Sequence, residues 1–93
     1  MTDRELLELA GLAAGETYSQ ERNPLERDDL ALRLAVALGI DIEWRADGRV
    51  AAYRHANANG YCFTAFESSR EDRAANVRRA IVRAAAEIGR AME

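Results

Sequence analysis

Apolar residues recur at helical spacing in the opening stretch "TDRELLELAGLAAG", where Leu6, Leu9, Ala10 and Ala13 fall on one side. Thr2 stands ahead of them as a cap, with Glu5 three residues on, the spacing of a capping box. Gly15 is a natural stop, while Gly11 weakens the helix interior by about 1 kcal/mol relative to alanine. The polar stretch "ETYSQERNP" reads as a loop. Asn23-Pro24 then has the form of an N-cap followed by the first helical residue. The second helix either runs through "LERDDLALRLAVALG" or begins after a turn, near Asp28. Leu30, Leu34 and Leu38 make its stripe, Ala31, Ala35 and Ala37 are small neighbours, and Gly39 closes it.

The period then changes from 3.6 to 2. In "IDIEWR", Ile40, Ile42 and Trp44 alternate with Asp41, Glu43 and Arg45. Asp47-Gly48 is a strong two-residue hairpin signal, and "VAAYR" is the return strand. "HANANG" connects to "YCFTAF", a third strand rich in aromatic and β-favouring residues. Trp44, Tyr53, Tyr61, Phe63 and Phe66 gather the aromatics in this sheet, most of them as core. A sheet covered on one face only would leave some exposed as a contact patch.

The last helix is expected from about Arg70 to about Ala91, capped by Ser68 with Glu71 or by Ser69 with Asp72. At 100° per residue, Val77, Ala80, Ile81, Ala84, Ile88 and Ala91 fill one face, with Met92 at its edge. Arg79, Arg83 and Arg90 lie nearly opposite and point outward, and Glu87 can pair with Arg83 four residues away. Arg78 flanks the stripe, its stem covering the core edge while its charge stays wet. The helix is first an amphipathic lid. The order ααβββα gives an α+β fold, a three-stranded antiparallel meander packed with three helices. Leu6, Leu9, Leu30, Leu34, Leu38, Ile40, Ile42, Val77, Ile81 and Ile88 are the expected core.

Length limits what such a fold can hold. The 93 residues make a single domain, 1–93. A chain of this size buries roughly 60–65% of its unfolded surface, which leaves little room for a deep cavity. Net charge is −3, distributed as −4 over residues 1–40, −1 over 41–69 and +2 over 70–93. A dedicated nucleic-acid binder shows a basic domain or stripe, so this balance disfavours nucleic acid as the main partner. All thirteen cations besides the lone histidine are arginine, with no lysine, and alanine is abundant, a bias that reads as a trace of GC-rich coding DNA, the alternative being selection for arginine forks that hold carboxylate or phosphate. One cysteine, Cys62, fits a reducing cytoplasm. No apolar run reaches the ~18–20 residues that span a bilayer, and the N-terminus lacks the pattern of a secretory signal.

Little in the sequence points to catalysis. His55 is the only histidine and sits in a polar loop; with Cys62 it gives at most two ligands where zinc takes three or four. A Cys62–His55 nucleophile pair lacks a third, orienting residue. Asp41 and Glu43 share one strand face at i, i+2, and Asp28-Asp29 stands where a helix start favours acids. A metal-dependent hydrolase or nuclease would use Asp41 and Glu43. No phosphate-binding loop, dinucleotide fingerprint or nucleophile elbow is present. The expectation is therefore no enzyme, no cofactor and no metal. The candidate partner-binding residues are Arg79, Arg83, Arg90, Trp44, Tyr53 and His55.

Three stretches, "MTDRELLELA", "NPLERDDLALRLAVALGIDIE" and "AANVRRAIVRAAAEIGRAM", resemble a family of small phage and prophage proteins, the phage ABA sandwich domain. The likeness covers both ends and the second helix. One departure is that relatives tend to carry a glycine in the acidic turn before "ALRLAV", where here Leu30 follows Asp28-Asp29 directly. The resemblance implies a three-layer α/β/α sandwich and a phage-encoded protein in the cytoplasm of a bacterial host. It implies no activity and no catalytic residues. The function expected is a non-enzymatic accessory protein that binds a host or phage factor, a defence or host-factor modulator. The alternative is a weak nucleic-acid-associated protein using the arginine face of the last helix. An uncovered sheet edge also allows a homodimer.

Overall fold

The computed structural model describes residues 1–55, 62–68 and 72–93, the side chains of 55, 62–66 and 68 excepted. In chain order these form α1 (Asp3–Ala14), α2 (Asp28–Leu38), β1 (Asp41–Trp44), β2 (Arg49–His55), β3 (Cys62–Ser68) and α3 (Arg73–Met92). The class is α+β, three helices with an antiparallel sheet in which β1 pairs with β2 and β2 with β3. Tyr61, the "ANANG" of the connecting loop and residues 69–71 lie outside the described residues.

Local chemistry sets the boundaries. The capping box of α1 is present: Glu5 N–H donates to Thr2 Oγ1 at 3.2 Å, and Thr2 N–H donates to Glu5 Oε1 at 3.5 Å. Gly11 has a positive role that the pattern did not reveal. A Cβ there would fall 2.5 Å from the Glu16 carbonyl oxygen, where the chain folds back after α1. Of the two starts open for the second helix, the later one holds. Asn23 closes a single turn, its Oδ1 accepting from Leu25 N–H at 2.9 Å and its carbonyl from Glu26 and Arg27, and α2 begins at Asp28.

The hairpin between β1 and β2 differs from the two-residue turn expected at Asp47-Gly48. Arg45 N–H donates to Arg49 O at 2.8 Å and Gly48 N–H to Arg45 O at 3.2 Å, so residues 46–48 form the loop. Gly48 takes φ 84° while Asp47 stays at negative φ, which is a type I turn followed by a left-handed glycine. The two-residue type I′ turn that Asp-Gly favours would need positive φ at both. Asp47 instead bends back onto Arg49, accepting from its N–H at 3.1 Å and from its guanidinium at 2.8 Å.

α3 starts at Arg73 rather than near Arg70, and Asp72 is itself the cap, its Oδ1 accepting from Ala75 N–H at 3.3 Å. Nor is α3 a lid with one buried stripe. Ala80, Ile81, Ala84 and Ile88 are buried as expected, but so are Val82, Ala85, Ala86 and Gly89 on other sides. The helix packs on β2 and β3 and also on α1 and α2, so it runs through the middle of the molecule. Alanine and glycine make this possible: a Cβ on Gly89 would overlap the carbonyl of Leu9, so α1 and α3 meet backbone to backbone.

This corrects the layering implied by an α/β/α sandwich. The principal contacts of α1 and α2 are with α3, and α3 alone packs broadly on the strands, so the stacking runs sheet, α3, then α1 and α2. The core joins Leu6, Ala31, Leu34, Ile40, Val50, Ala52, Ile81, Val82 and Ile88 with the α3 alanines. Leu30 is buried as well; Leu9, Leu38 and Val77 are only partly buried and pack against this core. Ile42, expected inside, is 38% exposed.

Candidate functional site

The sheet register decides which side chains share a face. Trp44 stands opposite Val50 and Ile42 opposite Ala52. Val50 and Ala52 are buried on the α3 side, so Ile42 and Trp44 turn toward the helices as well. Among the described residues no strand lies beyond β1 to continue the sheet, and α3 packs mainly under β2 and β3. The two side chains therefore overhang a cleft instead of entering the core. Its walls are Ile42 and Trp44 on one side and Asp28, Ala31 and Leu32 of α2 on the other. Its floor is Ala74, Val77 and Ile81 of α3, and its volume is about 420 Å³.

Trp44 is 55% exposed and Leu32 62%. The Arg73 guanidinium lies 5.2 Å from the centroid of the Trp44 ring, a cation–π arrangement at the mouth. Arg78 closes one end. Its Nε donates to Leu25 O at 2.8 Å and its terminal nitrogen meets Asp28 at 2.6 Å. The Arg78 side chain is only 16% exposed, so its charge is bound rather than wet as expected. One turn beyond Leu32, Val36 continues the apolar surface along α2 at 74% exposure. Exposed Leu32, Ile42 and Trp44 thus share one concave surface, with Val36 beside it.

The six residues singled out from sequence do not form one site. Trp44 borders the cleft. Tyr53 pairs in register with Asp41 and Thr64, on the sheet face away from Trp44. His55 stands opposite Cys62 in the backbone register, and both side chains lie outside the described residues. Arg79 and Arg83 converge on Glu67 of β3, at 3.3 and 3.0 Å, and Arg79 also meets Asp3 at 3.0 Å. Arg83 thus pairs with the sheet and not with Glu87, which takes Arg90 at 3.6 Å. Arg90 lies at the other end of α3, beside Leu9 and Leu12. Leu32, Val36 and Arg73 were missed. The available signal was Leu32 and Val36 themselves, two apolar residues four apart and off the Leu30–Leu34–Leu38 stripe.

A second, more polar concavity of about 700 Å³ lies between α1 and the loop that follows it, lined by Asp3, Arg4, Glu8, Glu16 and Tyr18 among others. Burial pushes the Tyr18 phenol above its ordinary 10, and the neighbouring Glu16 charge adds to the effect. Among the described residues no three His, Cys, Asp or Glu side chains come together as a metal site, and no helix is long and apolar enough to cross a membrane. No family model matches the chain, and neither does any curated protein or solved structure.

Proposed function

We propose that this protein is a non-enzymatic binding module that docks another protein at the cleft between β1, α2 and α3. The observation that carries this reading is the grouping of Trp44, Ile42 and Leu32, all exposed, around one concave surface, with exposed Val36 one turn further along α2. Contiguous exposed apolar surface on a small chain marks an interaction site, and tryptophan is one of the residues in which binding energy concentrates. In this reading the sheet is a complete three-stranded meander that ends at β1. The partner is a host or phage factor, and the protein a phage or prophage accessory acting in the bacterial cytoplasm. That part rests on the likeness of "MTDRELLELA" and its companion stretches to the phage family, and on nothing in the cleft.

The arginine face of α3 gives the nucleic-acid reading less support than the wheel suggested, because Glu67, Asp3 and Glu87 hold Arg79, Arg83 and Arg90. The test is capture from host lysate by the tagged chain and by Trp44→Asp, each with and without nuclease, with the bound proteins identified by mass spectrometry. A nuclease-resistant protein retained by the natural chain and lost with Trp44→Asp is the expected result. Equal retention by both removes the cleft from the reading. Capture that vanishes with nuclease returns the arginines to consideration.

A further inference from the structure

The docking reading leaves open what form the partner takes, and the backbone of β1 narrows it. In an antiparallel pair, residues alternate between those that exchange hydrogen bonds with the partner strand and those whose N–H and C=O point the other way. Arg45 bonds to Arg49. The register then makes Glu43–Ala51 and Asp41–Tyr53 the bonded pairs and Trp44–Val50 and Ile42–Ala52 the others. The N–H and C=O groups of Ile42 and Trp44 are therefore directed away from β2, at the edge of the sheet. Among the described residues, no strand or loop backbone takes them up. The same two residues supply the cleft wall with their side chains. A row of free strand-edge groups running beside an apolar trough is the arrangement that receives an extended chain.

Resting on the protein-binding reading above, we propose that the β1 edge takes up an extended segment of the partner as an added strand, one that alternates apolar and basic residues. Its apolar side chains enter the cleft between Trp44 and Leu32, over Val77. Those between them fall on the opposite face of the sheet, alongside Asp41 and Glu43. Both acids are exposed; Glu43 meets Arg45 only loosely, at 3.5 Å, and Asp41 has no ion pair among the described residues. Cross-strand neighbours of opposite charge stabilise a pair and like charges oppose it, so this face selects basic residues. A helix would fill the trough but leave the edge groups unmet, because its own backbone groups are spent internally. An antiparallel second copy centred on Ile42 would oppose Asp41 to Glu43, and one centred on Glu43 would oppose that acid to its own equivalent, with Arg45 opposite Asp41 to offset it.

Trp44 is the sole tryptophan, so its fluorescence reports on the cleft directly. The probe is the synthetic peptide acetyl-Thr-Val-Arg-Val-Arg-Val-Thr-amide, titrated into the full chain. Two controls carry Glu in place of Arg, or N-methyl groups on the backbone nitrogens that face β1. A saturable change is expected with the arginine peptide, at least about tenfold weaker with either control, a difference of about 1.4 kcal/mol. Bound peptide should also slow hydrogen exchange at the amides of Ile42 and Trp44. The exposed double variant Asp41→Lys with Glu43→Lys, checked for its fold by circular dichroism, should prefer the Glu peptide. No saturable change at millimolar peptide, or equal binding of the N-methylated form, overturns the proposal. A dimer that protects the same amides without peptide overturns it in favour of a second copy. Peptide failure beside intact Trp44-dependent capture leaves the docking reading standing and removes only the added strand; failure of both removes the two together.

Discussion

Gly89 has no side chain because the Leu9 carbonyl occupies the place where one would go. Helix propensity alone would favour alanine here by about 1 kcal/mol, but overpacking a well-filled core costs about 1–3 kcal/mol and a backbone carbonyl cannot swing aside. Gly89→Ala should therefore destabilise the chain by about 2 kcal/mol in urea unfolding, where an alanine at an exposed helical glycine would stabilise it. Tyr18 offers a second single-residue check. Burial, and then the Glu16 charge, raise its phenol above 10. A raised folded value means the neutral phenol is the favoured form, so its contribution to stability is intact below 10 and is lost as pH climbs through the folded value. In an alkaline absorbance titration, a tyrosine that ionises above 10 should disappear in Tyr18→Phe and should shift down in Glu16→Gln.

The hairpin between β1 and β2 makes its own claim. The Arg49 guanidinium, hydrogen-bonded to Asp47, holds that carboxyl below its usual range. A depressed folded value means that the stabilisation is present above the unfolded value near 3.9 and fades as pH falls through the lower, folded one. A carboxyl titration by NMR should place the Asp47 midpoint below 3.9, and Arg49→Gln should return it toward the ordinary value. Solvent screening keeps the effect on global stability small, because both groups are exposed. Elements of this kind were partly legible in the sequence. Thr2 and Glu5 announced the start of α1 because capping depends on residues three apart. The period-2 run from Ile40 to Trp44 announced a strand, but alternation says only which residues share a face, not whether anything lies beneath them. Ile42 and Trp44 came out exposed because β1 is an edge strand that α3 does not underlie. α3 was misread as a lid for a related reason. Alanine scarcely moves a helical wheel, so Ala85, Ala86 and Gly89 gave no hint of a second packed face. The cleft was hidden for the same cause, since it is made by the spacing of three elements and by no motif in any of them.

At the scale of the molecule, Glu67 holds two cations of α3, and its side chain is 20% exposed. Removing its charge with Glu67→Gln leaves Arg79 with Asp3 and takes an acid from Arg83. The expected loss is about 1 kcal/mol at low salt. It should shrink in urea unfolding at high salt, where such pairs are screened in the natural chain too. A loss that is the same at both salts would mean that Glu67 acts through packing instead. The meeting of α1 with α3 has another consequence, in time. Asp3 and Arg79 are 76 residues apart in the chain, and α1 finds its principal cover only on α3. At translation rates of about 5–20 residues per second, α1 leaves the ribosome roughly 4–15 s before the helix that buries Leu6 and Ala10. The nascent chain must carry an uncovered apolar helix for that interval. Folding then waits on closing a loop almost as long as the protein, so its refolding should be slow for its size and its early chains should be natural clients of a holding chaperone.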